Sequence, residues 1–145
     1  MTIPMLPVAA EPVDEVQFFV PGKAAPQGSK RHVGRGILVE SSKEVGPWRE
    51  RVALAAHHAM GGHALFDGAV SVTLNFVLPR PKSAPKTKTP PATKRPDLDK
   101  LERACLDALT DVCFADDSQV VSLSGYKRLA EIGETAGVEI RVEVA

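Results

Sequence analysis

The sequence predicts an α+β domain, a mixed β-sheet of about four strands with two helices packed on one face. Three observations carry that reading. Residues 69–78 alternate apolar and polar side chains, the period of a half-buried strand. Residues 97–112 repeat apolar side chains at helical spacing. The order strand, helix, strand, helix, strand, strand leaves some strands adjacent and others separated by a helix, which a mixed sheet under a helical layer accommodates.

Residues 1–15 hold prolines and acids where a secretory signal needs a basic start and an apolar run, and they read as a flexible tail. The domain proper spans 16–145. Val16 to Val20 is the first predicted strand, followed by a Gly/Pro/Ser-rich loop from Pro21 to Ser29 and a short extended or hairpin segment from Arg31 to Glu40. The first helix is predicted over Pro47 to Met60, because Pro47 suits a first turn, Trp48, Val52, Ala55, Ala56 and Ala59 share a face, and Gly61-Gly62 stops it. After the strand of 69–78, residues 80–95 carry four prolines and no large apolar side chain. Such a segment buries almost nothing and predicts a mobile basic loop. The second helix begins at Asp97, an N-cap residue after Pro96, and runs to about Val112 with Leu98, Leu101, Cys105, Ala108, Leu109 and Val112 inward and Asp99, Arg103, Asp107 and Thr110 outward. Val120 to Tyr126 and Val138 to Val144 close the sheet.

Composition narrows the function classes. With 43% hydrophobic and 25% charged residues the chain is an ordinary globular protein of one domain, and no apolar run approaches the ~18 residues that span a bilayer. Cys105 and Cys113 fit neither a redox pair nor a zinc knuckle, and read as reduced thiols of a cytoplasmic protein, with Cys105 a small core residue on the apolar helix face. His57, His58 and His63 lack a neighbouring cysteine or paired carboxylate and read as exposed polar residues.

Net charge is zero, yet the charges are segregated. No acid lies between Asp67 and Asp97, an interval that contains Arg80, Lys82, Lys86, Lys88, Lys94 and Arg95. A smaller acid-free stretch holds Lys23, Lys30, Arg31 and Arg35. Acids then collect from Asp97 to Asp117. A polyanion held by one part and a divalent cation by another would need this division. Asp97 and Asp99 stand at a helix start that favours ionised carboxylates, and Asp116-Asp117 in a short connection from which side chains can enter a cleft. Each piece also has a bland reading as a cap, an i,i+4 ion pair with Arg103, or a surface acid pair.

The stretch Thr93 to Leu123, with Lys127 after it, resembles the core motif of the RusA family of Holliday-junction resolvases. The resemblance rests on Pro-Asp-x-Asp at a helix start, Leu-Asp-Ala-Leu within the helix, and Asp-Asp-x-Gln-Val leading into a strand. The loop Pro21 to Lys30 and the Trp48-Arg49 helix are also similar to the family. The resemblance implies that Asp97, Asp99 and Asp117 are the essential metal-binding acids with Asp116 as an auxiliary, and that a homodimer makes paired nicks in a four-way junction using Mg2+ or Mn2+. No organic cofactor is expected. Where the family has Asn this chain has Lys100, and where it has a helix Lys this chain has Arg103, a catalytic candidate that keeps the charge but not the compact ammonium. Lys23, Lys30, Arg31, Lys82, Lys86, Lys88, Lys94, Arg95, Lys100 and Lys127 are the expected DNA contacts.

The alternative from another class is a catalytically weak junction-binding protein. A small-molecule phosphohydrolase suits the long basic loop less well. A P-loop is excluded because Gly22 to Lys30 contains no Gly-Lys-Ser/Thr. A continuous helix over 97–112 would hold Asp97 and Asp117 roughly 20 Å apart at about 1.5 Å per residue. That separation predicts a site shared between two chains, with the second helix packed antiparallel against its copy.

Overall fold

The computed structural model describes residues 10–28 and 43–145 in full, and the backbone of 30–32 and 38–40. Residues 1–9 of the expected tail, and Arg35, lie outside the described residues, as do the side chains of Lys30 and Arg31.

Strand β1 (Glu15–Pro21) is followed by the short antiparallel pair β2 (Lys30–His32) and β3 (Leu38–Glu40), helix α1 (Val45–Met60), strand β4 (Val70–Leu78), helix α2 (Leu98–Leu109), a 3-10 turn (Asp117–Gln119), and strands β5 (Val120–Leu129) and β6 (Gly137–Val144). The main sheet has the order β1-β6-β4-β5, with β4 and β5 parallel and the other neighbours antiparallel. It is the mixed four-stranded sheet that the element order predicts. Parallel β4 and β5 need a crossover, and α2 lies within it.

One face of the sheet is apolar. Val16 and Val20 of β1, Val72, Leu74 and Phe76 of β4, and Val138, Ile140 and Val142 of β6 are buried on it, with Trp48, Val52 and Ala56 of α1 and Leu101, Cys105 and Leu109 of α2 in the same core. Burying one such large side chain contributes about 1.5–3 kcal/mol. Both thiols are inside, and burial pushes Cys105 and Cys113 up to about 12, with the Glu102 charge adding to the shift at Cys105. They are unreactive core residues, as the position of Cys105 on the apolar face of the helix predicts for that thiol.

Two differences from the sequence reading bear on the site. First, α2 ends at Leu109, three residues before Val112. Thr110 leaves the helix in an extended conformation while its hydroxyl donates to the Leu106 carbonyl at 2.9 Å, and Asp111 takes a positive φ of 68°. Beyond it Cys113 and Phe114 are buried, and the Cys113 carbonyl accepts from the Phe66 amide at 2.7 Å. Thr, Asp, Val and Cys are weak helix formers, so burial of Phe114 outweighs another helical turn.

Second, the segment 80–95 has no regular structure, as its prolines predict, but it is organised around Arg80. That guanidinium donates to the Thr89 hydroxyl at 2.8 Å, to the Lys88 carbonyl at 2.8 Å, to the Ala130 carbonyl at 3.2 Å and to the Pro85 carbonyl. Thr89 in turn donates to Glu131 at 2.6 Å. Arg80 therefore belongs to the loop's scaffold, while Lys82, Lys86 and Lys88 face solvent.

Candidate active site

Helix α2 carries the site. Asp97 occupies the N-cap position with extended backbone, and its carbonyl accepts the Leu101 amide at 3.1 Å. Its carboxylate makes no cap hydrogen bond. That distinguishes it from an ordinary capping aspartate, whose side chain is spent on the first turn. Asp99 is exposed in the first turn, and neither acid takes part in an ion pair among the described residues. At the same end, the Lys127 ammonium donates to the Lys94 carbonyl at 2.9 Å and the Pro96 carbonyl at 2.8 Å. Lys127, expected among the DNA contacts, is thus a strut fixing the start of α2 to β5.

Arg103 and Asp107 follow Asp99 at four-residue steps on the same helix face. The Arg103 guanidinium holds Asp117 at 2.8 Å and stands 4.0 Å from Asp107. Arg49 of α1 approaches Asp107 from the other side at 3.6 Å and donates to Gln27 at 3.0 Å. An alternating row of Arg49, Asp107, Arg103 and Asp117 results. Because Asp117 reaches a residue midway along α2, the separation calculated for a helix over 97–112 does not hold. The early helix end turns the chain back sooner, and β5 then runs alongside α2.

Asp116 and Asp117 sit together in sequence but not in role. The Asp116 carboxylate accepts from the Ser118 amide at 2.8 Å and forms a capping box with Gln119. The Ser118 amide, then hydrogen bonds with the Ser118 and Asp117 side chains, pull it below the usual carboxylate range. Asp117 is left to face Arg103. Gln119 holds the turn itself. Its carbonyl oxygen accepts from the amides of Ala115 and Asp116 at 2.9 and 3.1 Å, and its amide nitrogen donates to the carbonyls of Phe66 and Gly68, both at 2.9 Å. Sequence reasoning quotes Gln119 only as part of a motif and gives it no role.

Glu102 was not singled out from sequence either. It lies over Gly125 of β5, where a Cβ would stand 2.7 Å from the Glu102 carboxyl carbon. Partial burial, and then the nearby Asp99 charge, push its carboxyl above the usual range. A glutamate at the edge of the apolar stripe, facing a glycine in a strand, is the signal that could have found it.

The donor chemistry of Asp97, Asp99 and Asp117 suits a hard divalent cation, which takes oxygen ligands. Among the described residues, however, no three His, Cys, Asp or Glu side chains are grouped so that they could hold one. Two concavities open at these acids. Asp117 lines a shallow one with Arg49, Glu50, Asp107 and Asp116. Asp97 lines a deeper one with Lys23, Lys94, Arg95 and Lys100. Of the remaining expected DNA contacts, Lys82, Lys86 and Lys88 are exposed on the Arg80 loop. No helix among the described residues is long and apolar enough to cross a membrane.

A search among curated proteins finds no match. The family model described as endodeoxyribonuclease RusA matches residues 21–143, which takes in every element from the end of β1 to β6 and all the acids described above. The chain belongs to the RusA endodeoxyribonuclease family, a family of nucleases acting on branched junction DNA.

Proposed function

We propose that this chain resolves Holliday junctions by metal-dependent phosphodiester hydrolysis, making paired nicks as a homodimer. The observation that carries the reading is the state of Asp97 and Asp99, carboxylates at a helix start that pair with no base among the described residues, Asp97 without a cap bond. A carboxylate left without a partner where one is available is better explained by an incoming cation than by helix stability. Asp97, Asp99 and Asp117 would hold Mg2+ or Mn2+, with Asp116 committed to its turn. The cation supplies the polarisation of the phosphate and the activation of water. Arg103 neutralises Asp117 before binding, and its guanidinium is then free to approach a phosphate oxygen.

The dimer follows from β5. It is an edge strand, and Val121 and Leu123 on it are 65% and 40% exposed. The outward face of α2 is charged, so α2 packed on its own copy lacks apolar contact, whereas two copies of β5 paired antiparallel would cover both edges. The Asp116-Asp117 turn of one copy would then approach the Lys127 end of the other, where Asp97 and Asp99 stand. Two equivalent sites result, as paired nicking requires.

A labelled four-way junction and a matching linear duplex, each with and without Mg2+, test the activity. Cleavage of the junction alone, only with metal, is expected. Asp97→Asn, Asp99→Asn and Asp117→Asn should each abolish it while leaving junction binding intact. For the shared site, inactive Asp97→Asn and Asp117→Asn proteins are mixed, and nicking should return once subunits exchange. Junction binding without cleavage by the unmodified protein would favour the binding-protein reading, for which the Arg103–Asp117 pair is the supporting observation.

A further inference from the structure

The groove beside Asp97 has a volume of about 960 Å³. That is the size class of a small-molecule pocket, far too small for a duplex but sufficient for one or two nucleotides. Its rim carries Lys23, Lys94, Arg95 and Lys100 against two acids, Glu44 and Asp97. Among the described residues seven of those lining it are prolines, Leu78 and Leu129 line it too, and no aromatic side chain does. The walls are tied together. The Gln27 amide donates to the Lys100 carbonyl at 2.9 Å, Lys127 holds the carbonyls of Lys94 and Pro96, and Arg80 organises the loop that forms the far side.

We infer that this groove takes an unpaired DNA strand, its phosphates on the rim cations and its sugars and bases against the proline and leucine walls. A small metabolite is a poor match, because among the described residues no buried polar or charged side chain is present to fix the orientation of such a ligand. A polyanion with apolar, flat substituents needs only what the groove provides, a cationic rim and an aliphatic slot. Without aromatic platforms or buried donors, the groove distinguishes unpaired from paired strands and reads base identity weakly. Because the walls are already braced, little ordering is left to do on binding. Asp97 at one margin places the held strand next to the proposed chemistry. The inference thus deepens the resolvase reading and rests on it for biological context, though not for its test.

The test uses fluorescence anisotropy in the absence of divalent metal with three probes: a four-way junction, a linear duplex and a 12-nucleotide oligothymidylate. Ser83→Trp places bulk in the groove from an exposed lining position. It should weaken oligothymidylate binding about tenfold or more, while duplex affinity changes less than about twofold. Equal loss for both probes, or no loss for either, overturns the proposal. A second measurement needs no bulky residue. Cys105 and Cys113 are buried, so Ser83→Cys offers a single accessible thiol. Oligothymidylate should slow its alkylation and duplex should not, and unchanged alkylation overturns the proposal equally. A protein that binds the junction no better than duplex would remove the resolvase reading while leaving the oligothymidylate result to stand by itself.

Discussion

The two ends of α2 carry the same side chains in opposite states. At the N-terminal end, Asp97 makes no cap bond, and neither Asp97 nor Asp99 forms an ion pair among the described residues. Toward the C-terminal end, Asp107 and Asp117 are interleaved with Arg49 and Arg103, and Asp116 is consumed by a turn. An isolated helix would favour acids at its positive end for dipole reasons alone, so position does not explain the difference. Availability does. Asp97 and Asp99 stand open to an incoming cation, whereas Asp117 would have to exchange Arg103 for one.

The sharpest way to break this comparison is to neutralise one acid at each end. If Asp99 holds metal as proposed, Asp99→Asn should reduce junction cleavage by more than about 100-fold, beyond the roughly 10- to 100-fold cost of losing a group that only orients a ligand. Asp107→Asn should cost less than about 10-fold, because Arg103 keeps Asp117. Equal losses in single-turnover assays would show that the paired row is as essential as the free acids.

Next in size are two stability effects. Gly125→Val should destabilise the fold by about 1–3 kcal/mol through overpacking against Glu102, with partial rescue by Glu102→Ala, measured by urea unfolding. Gln119→Ala removes four hydrogen bonds from the turn, and a loss of about 2 kcal/mol is expected. If Gln119→Ala left both stability and cleavage unchanged, the turn would not be what positions Asp117.

The smallest effect is in pH dependence. Glu102 has a raised carboxyl pKa in the folded state, so the folded chain binds its proton more tightly than the unfolded chain. Its contribution is therefore present at low pH and declines as pH rises from the unfolded value through the raised one. Glu102→Gln should remove the decline that sets in as pH rises above the ordinary glutamate value of 4.5. Glu134 works the other way. Its hydrogen bonds to Arg128 and the Glu131 amide hold it at about 2, so its contribution exists above its ordinary value of 4.5 and disappears only as pH falls through about 2.

Much of this arrangement was legible before any coordinates. Alternation in residues 69–78 and the stripe from Leu98 to Leu109 locate β4 and α2, because periodicity records which face is buried. The Pro-Asp-x-Asp start locates the free acids. What periodicity does not record is the partner of a polar side chain. Lys127 as a strut, Arg80 as a scaffold and Gln119 as a staple all bind backbone carbonyls or amides far away in sequence, and any polar residue of suitable length reads alike on paper. The end of α2 was misplaced for a related reason. Val112 continues the apolar stripe, but Phe114 gains more by entering the core with the chain turned back than by extending the helix.

The bracing of the basic loop by Arg80 has a consequence for proteolysis. Lys82, Lys86 and Lys88 are exposed and followed by Ser or Thr, which makes the segment an ordinary trypsin substrate by sequence. A protease must draw several residues of backbone into an extended strand, and here the carbonyls of Pro85 and Lys88 are held by one guanidinium. Cleavage has to wait for that hub to open, so digestion reports its local stability. Arg80→Ala should turn a resistant loop into the first site nicked, with the surrounding sheet intact. The same side chain that spaces the exposed lysines thereby protects the segment that its composition would mark for destruction.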